Sequence, residues 1–188
     1  MKFSSLLSLS LIGFAITALA WLPVEHGLAR QFPKQWAPSK GKMRGVNLGS
    51  HFVVEPWMIP IEWNFMGCAN YSAENDCVVG LGQKKANANF KKHWDTWVSE
   101  KDVKDMASWG LNTIRIPVGW WIKEDLVNSN ESFPQGGFYY LERICRWAAN
   151  HGIYVVMDLH GAPGAQTRWQ AFTGMVRSKK PSFSFGLF

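Results

Sequence analysis

The two stretches "GLNTIRIPVG" (Gly110–Gly119) and "GIYVVMDLHG" (Gly152–Gly161) align without a gap, and their reading decides the fold. Each begins on a glycine after a segment of helical spacing, runs apolar almost throughout, and ends on a second glycine followed by a loop. Runs this continuously apolar fit a sheet covered on its outer side, and strands alternating with helical segments read as parallel βα units. The helix before the first stretch opens at Ser99, with Asp102 three residues on as a capping box, and buries Val103, Met106 and Ala107 until Gly110 ends it. The one before the second stretch is "YLERICRWAAN", opened by Pro134 to Gly137 and closed by Gly152. "MRGVNL", from Met43, adds an earlier strand, and "GWWIKEDLV" reads as a loop with a short helical turn. No G-x-G-x-x-G follows the first strand and no P-loop motif occurs, which argues against a dinucleotide or nucleotide site.

The N-terminus reads differently. "MKFSSLLSLSLIGFAITALA" joins a basic start at Lys2 to a short apolar run and an Ala-Leu-Ala end, so residues 1–20 are expected to be a secretory signal peptide cleaved after Ala20. The apolar run falls short of the roughly 18 residues that a membrane-spanning helix needs. Residues 21–42 lack periodicity and suit an extended lead. Ordered structure is expected over 43–174, with 175–188 as a separate tail. The net charge of +6 owes part of its excess to Arg177, Lys179 and Lys180, and no basic stripe interleaved with aromatics marks a nucleic-acid surface. Cysteine usage agrees with export: Cys68 and Cys77 bracket "ANYSAEND", a polar loop that a disulfide could close. Cys145 falls on the apolar stripe of its helix with Leu141, Ile144 and Ala148, as a core thiol does. N-x-S triplets at Asn70 and Asn130 are candidate glycosylation sites.

In a (β/α) barrel the working groups sit at the C-terminal ends of the strands. Glu55 and Trp57 follow the first strand here, Arg115 lies on the second with Trp120 and Trp121 beyond, and Asp158 and His160 end the third. An indole face can cover the C–H face of a sugar ring while loop polar groups bond its hydroxyls, so these residues suggest a carbohydrate cleft. Trp94, Trp97, Trp109 and Trp147 lie in helical sequence and read as packing. Arg115, on an apolar strand, needs a carboxylate or a hydroxyl-rich ligand as partner, and pairing with Asp158 is an open alternative to a role in binding. Asp158, flanked by Met157 and Leu159, reads as structural, whereas His160, before a Gly-Ala-Pro-Gly turn, should face the strand-end surface.

Taken together, "RGVNL", "VVEPWM", "HWDTWVSEKDV", "GLNTIRIPVGWW", "FPQGGFYYLERICRWA" and "DLHGAPGAQ" resemble the exo-1,3-β-glucanase branch of glycoside hydrolase family 5, secreted fungal enzymes. The resemblance implies a TIM barrel, of which about three of eight strands would be present, and a β-glucan substrate. It also implies a monomer when complete, secretion to the cell exterior or wall, and no metal or organic cofactor. By the same resemblance Arg115 would hydrogen-bond the catalytic nucleophile and His160 would sit beside it, while Glu55 would hold sugar hydroxyls, with Trp57 and Trp121 as further active-site support. The family's retaining chemistry uses two carboxyl groups roughly 5 Å apart, one as acid and base and one as nucleophile. Both are Glu residues, at the ends of the fourth and seventh strands. This sequence has no Asp or Glu after His160, so neither catalytic Glu has a counterpart, and the chain is expected to be a truncated, inactive N-terminal part. The resemblance fades after Gly174, in "VRSKKPSFSFGLF".

Overall fold

A computed structural model describes residues 41–176. The expected signal peptide, most of the lead and the tail beyond Val176 lie outside them. Three parallel strands, β1 (Gly45–Asn47), β2 (Thr113–Gly119) and β3 (Tyr154–Gly161), form one sheet in the order β1-β2-β3. Asn47 is in register with Arg115, and Pro117 with Asp158, so Asn47, Arg115 and Asp158 project from one face of the sheet.

The opposite face carries the core. Ile114, Ile116 and Val118 alternate with the site-facing residues of β2 and are buried under helices. One of these is α4 (Glu100–Ser108), capped as its sequence predicts: the Asp102 amide donates to the Ser99 hydroxyl and the Ser99 amide to the Asp102 carboxylate. The other is α5 (Gly137–Asn150), whose apolar stripe of Leu141, Ile144 and Ala148 is buried. Gly110 and Gly152 follow these helices with φ of 80° and 68°, the left-handed conformation that lets each chain turn into its strand. Cys145 packs against this core, and burial pushes its thiol up to about 11, so it stays protonated and inert.

Between β1 and β2 the chain departs from the sequence reading, which placed its first helix at Ser99. Three more helices precede it: α1 (Pro60–Phe65), α2 (Glu74–Leu81) and α3 (Gln83–Thr96). The polar stretch "ANYSAEND" is therefore only half a loop, because α2 begins within it and carries Cys77. A disulfide joins Cys68 to Cys77 with Cα atoms 5.3 Å apart, tying α2 to the end of α1. Asn70 and Asn130 are both exposed. No described helix is long and apolar enough to cross a membrane.

Of the four helical tryptophans read as packing, Trp94 is buried and Trp147 packs against the core. Trp109 is instead 74% exposed and Trp97 38%, and both line a cleft of about 330 Å³ with Met106 and Val98. Helical periodicity identifies a stripe, but only the packing of neighbours decides whether that stripe is covered.

Candidate functional site

At the ends of β2 and β3 three polar side chains meet. Arg115 Nη2 donates to Asp158 Oδ2 at 2.5 Å, and the same oxygen lies 2.8 Å from His160 Nδ1. Arg115 Nη2 also approaches that ring nitrogen at 3.3 Å, and Nη1 donates to Asn47 Oδ1 at 3.3 Å. Because a guanidinium only donates and a carboxylate only accepts, the shorter distance assigns the Nδ1 proton: Nδ1–H donates to Asp158. In the neutral ring Nε2 is then the acceptor, and it makes no hydrogen bond among the described residues.

The trio follows from the sequence. Residues two apart on a strand face the same side, so Asp158 and His160 share a face, and the parallel register sets Arg115 beside them. Each side chain is about a quarter to a third exposed, enough shelter to strengthen the ion pair and enough opening to admit a ligand. Asp158 thus serves as the structural partner of Arg115, as expected, and also orients His160. The Phe172 ring lies 5.2 Å from the His160 ring, and the Gln166 amide donates to the His160 carbonyl at 2.6 Å, so the following loop folds back onto the histidine.

Glu55 and Trp57 form a second group in the loop after β1. The Trp57 indole N–H donates to Glu55 Oε2 at 3.0 Å, Ser50 Oγ accepts from the Glu55 amide at 3.1 Å, and the Trp57 ring is 73% exposed. A carboxylate with its second oxygen unengaged beside an open indole can accept hydroxyl protons next to a stacking face. Among the described residues, no hydrogen bond links this pair to the Arg115 trio.

Trp121 is elsewhere. It is 2% exposed, stacks on Phe133 at 4.6 Å, and gives its indole N–H to Glu74 Oε2 at 2.8 Å. The ring fills a slot bounded by glycines: a Cβ on Gly119, Gly161 or Gly174 would fall less than 3 Å from it. Neither face is open to a sugar, so the expectation of direct contact is replaced by a supporting position. The glycines that end both aligned stretches are thereby explained: Gly119 and Gly161 have no positive φ and are small so that this indole fits.

Sequence reasoning passed over Asn47 and Glu74. Asn47, in "RGVNL", had a usable signal, the only polar side chain of a short strand. Glu74 had none, since an acid in a polar stretch reads as solvated. It is 1% exposed, accepts from the Val54 amide at 2.7 Å as well as from Trp121, and burial pushes its carboxyl up to about 8 against both hydrogen bonds.

Comparison with known proteins places this arrangement. The chain is 49% identical to glucan endo-1,6-beta-glucosidase B of Emericella nidulans over 88% of its own length and 44% of that protein's. It is 38% identical to a glucan 1,3-beta-glucosidase of Blumeria graminis over 82% of its length and 35% of the other. The chain thus spans less than half the length of these relatives. Among solved structures, rutinosidase from Aspergillus niger superposes with a TM-score of 0.58 at 25% identity, covering 65% of this chain and 34% of that one. The family described as Cellulase (glycosyl hydrolase family 5) matches residues 79–184, more than half of the sequence. By that match, and by three parallel βα strands whose polar groups converge at one end, the chain belongs to glycosyl hydrolase family 5.

Proposed function

We propose that this chain carries the sugar-holding part of a secreted β-glucan hydrolase, with β-1,6-linked glucan as the preferred substrate of the whole protein. The observation that supports it most is the trio Arg115, Asp158 and His160 at adjacent strand ends in a family 5 chain. Arg115 has donors to spare, His160 Nε2 is an acceptor, and Glu55 with Trp57 offers a carboxylate beside an indole face. This is the mixture that hydroxyls and C–H faces of a glucose ring require. The linkage assignment revises the exo-1,3 expectation, because relatives near 50% identity bear the endo-1,6 name and those bearing the 1,3 name stand at 38% and 33%.

A second reading, a secreted protein that binds β-glucan without cutting it, is favoured for the 188-residue chain by itself. Retaining hydrolysis needs two carboxyl groups roughly 5 Å apart across the bond. Asp158 is held by Arg115 and His160, Glu55 by Trp57, and no Asp or Glu follows His160.

The deciding assay incubates two proteins with linear β-1,6-glucan and linear β-1,3-glucan and measures reducing ends. One protein is the 188-residue chain; the other is the product of any longer transcript that runs through the codons for Phe172–Phe188. The chain should release nothing while retaining affinity for β-1,6-gluco-oligosaccharides, and the longer product should release oligosaccharides from the 1,6-polymer. Glucose release from the 1,3-polymer alone would overturn the linkage assignment, and hydrolysis by the 188-residue chain would overturn the binding-only reading.

A further inference from the structure

The first turn of α2 touches the loop after every strand. Glu74 Oε1 accepts from the amide of Val54, in the loop after β1, and Glu74 Oε2 from the indole of Trp121, in the turn after β2. Asn75 continues the pattern: its side-chain amide donates to the Ser132 carbonyl at 2.7 Å, and its backbone amide to the Gly174 carbonyl, in the loop after β3, at 2.9 Å. Both residues are buried. A helix start normally presents unpaired amides to water or to a capping side chain, and Ala73 at this N-cap supplies none. Here the start faces inward, and the Asn75 amide is satisfied by the Gly174 carbonyl, a segment remote in sequence.

We propose that Glu74 and Asn75 form a buried positioning pair that sets the relative placement of the strand-end loops and, through Val54, aims the adjacent Glu55. The inference rests on the reading of Glu55 as a sugar-holding group. A carboxyl group is suited to this task because both of its oxygens keep lone pairs that can accept, whether or not one of them carries a proton, and here they face two N–H donors. Glutamine has the same shape but one acceptor, so its NH₂ must face either Val54 N–H or Trp121 N–H, donor against donor. The pair is itself fixed by the disulfide, since Cys77 lies three residues after Glu74 on the same helix.

The test uses the oxidised 188-residue chain at low micromolar concentration, with Glu74→Gln, Trp121→Phe, the double variant and Glu55→Gln. Two quantities are read: amide hydrogen exchange by segment, and affinity for gentiotriose, a β-1,6-linked glucotriose. E74Q should accelerate exchange in residues 53–57 about tenfold and weaken gentiotriose about tenfold, with α3 and α5 unchanged. W121F keeps the ring and removes the donor; it should give a smaller effect of the same kind, and the double variant should be no worse than E74Q, because both act on one hydrogen bond. E55Q should abolish binding with exchange in 53–57 unchanged. Unaltered exchange in 53–57 in E74Q and W121F, or additive effects in the double variant, would overturn the positioning role. If E74Q does not fold, W121F decides by the same criterion. If wild type and E55Q bind gentiotriose equally, the sugar-holding reading of Glu55 fails, while the exchange data still decide the brace.

Discussion

Asp158 Oδ2 stands 2.8 Å from His160 Nδ1 and 2.5 Å from Arg115 Nη2, so one carboxylate oxygen fixes both the tautomer of the histidine and the direction of the guanidinium. Replacing Asp158 by Asn removes the countercharge and keeps the shape. Because these side chains are about a third exposed, the stability loss should be only about 1–2 kcal/mol. Affinity for gentiotriose should fall more than stability does. Nitrogen NMR of the His160 ring should show the Nδ1-protonated tautomer in the wild type and a mixture in D158N; an unchanged tautomer in D158N would show that Asp158 does not set it.

Two buried groups pull stability in opposite directions with pH. Burial holds the Glu74 carboxyl at about 8 against an ordinary 4.5, so the folded state keeps a proton that the unfolded chain loses, and stability declines as pH rises from about 4.5 to 8. Burial, with His93 and Arg143 nearby, lowers His51 from 6.5 to about 3, so the unfolded chain gains a proton that the folded one refuses. Stability therefore declines as pH falls from about 6.5 to 3, and His93, also lowered by burial, adds to that slope. The two slopes oppose each other between about 4.5 and 6.5, so denaturant midpoints measured from pH 3 to 9 should peak in that window. E74Q should flatten the alkaline side and leave the acid side intact.

The disulfide closes a short loop, for which the chain-entropy estimate is roughly 2–3 kcal/mol. Exchanging Cys68 and Cys77 together for Ser should lower stability by about that amount. It should also accelerate exchange at Val54 and Trp121 before it does so in α5, because those segments depend on α2 for their partners. Uniform acceleration across all helices would show that the bridge stabilises the domain without favouring the site.

Gly161 and Gly152 predict different costs for the same substitution. A Cβ at Gly161 would press on the Trp121 ring and the Phe172 carbonyl, so Gly161→Ala should cost about 1–3 kcal/mol by overpacking and shift the Trp121 emission. A Cβ at Gly152 meets nothing within 4 Å, and Gly152→Ala should cost only the roughly 1–2 kcal/mol of a positive φ, with emission unchanged.

On the face of β3 opposite Asp158, Met157 is 48% and Leu159 56% exposed, and Val46 on β1 is 37% exposed. Apolar residues on edge strands invite pairing between chains. The 188-residue chain should self-associate with rising concentration in light scattering, and Met157→Lys with Leu159→Lys should reduce this. Concentration-independent monomers of the wild type would remove the argument.

The strands, α4, α5 and the shared face of Asp158 and His160 were legible in the sequence because each rests on a local pattern: glycine-bounded apolar runs, a Ser99–Asp102 cap, and alternation along a strand; the Arg115–Asp158 pairing stood as one of two alternatives, because it depends on the register between two strands. Helix α3 was not, since Ala86, Phe90 and Trp94 recur four apart among eleven mostly polar or charged residues, too thin a stripe to stand out. Glu74 was passed over, and the burial of Trp121 was missed, for a shared reason. Whether a carboxylate or an indole faces solvent or a neighbour depends on partners remote in sequence, and Glu74 and Trp121 are each other's partners.

The slot around Trp121 also orders events in time. Its walls are Gly119, Gly161 and Gly174, and the last two are synthesised after the indole itself. The ring cannot seat until β3 has docked and the segment through Gly174 has folded back, contacts whose loops must close first. Trp121 is thus a natural stopwatch for this chain: the burial of its ring marks the locking of the strand ends against one another.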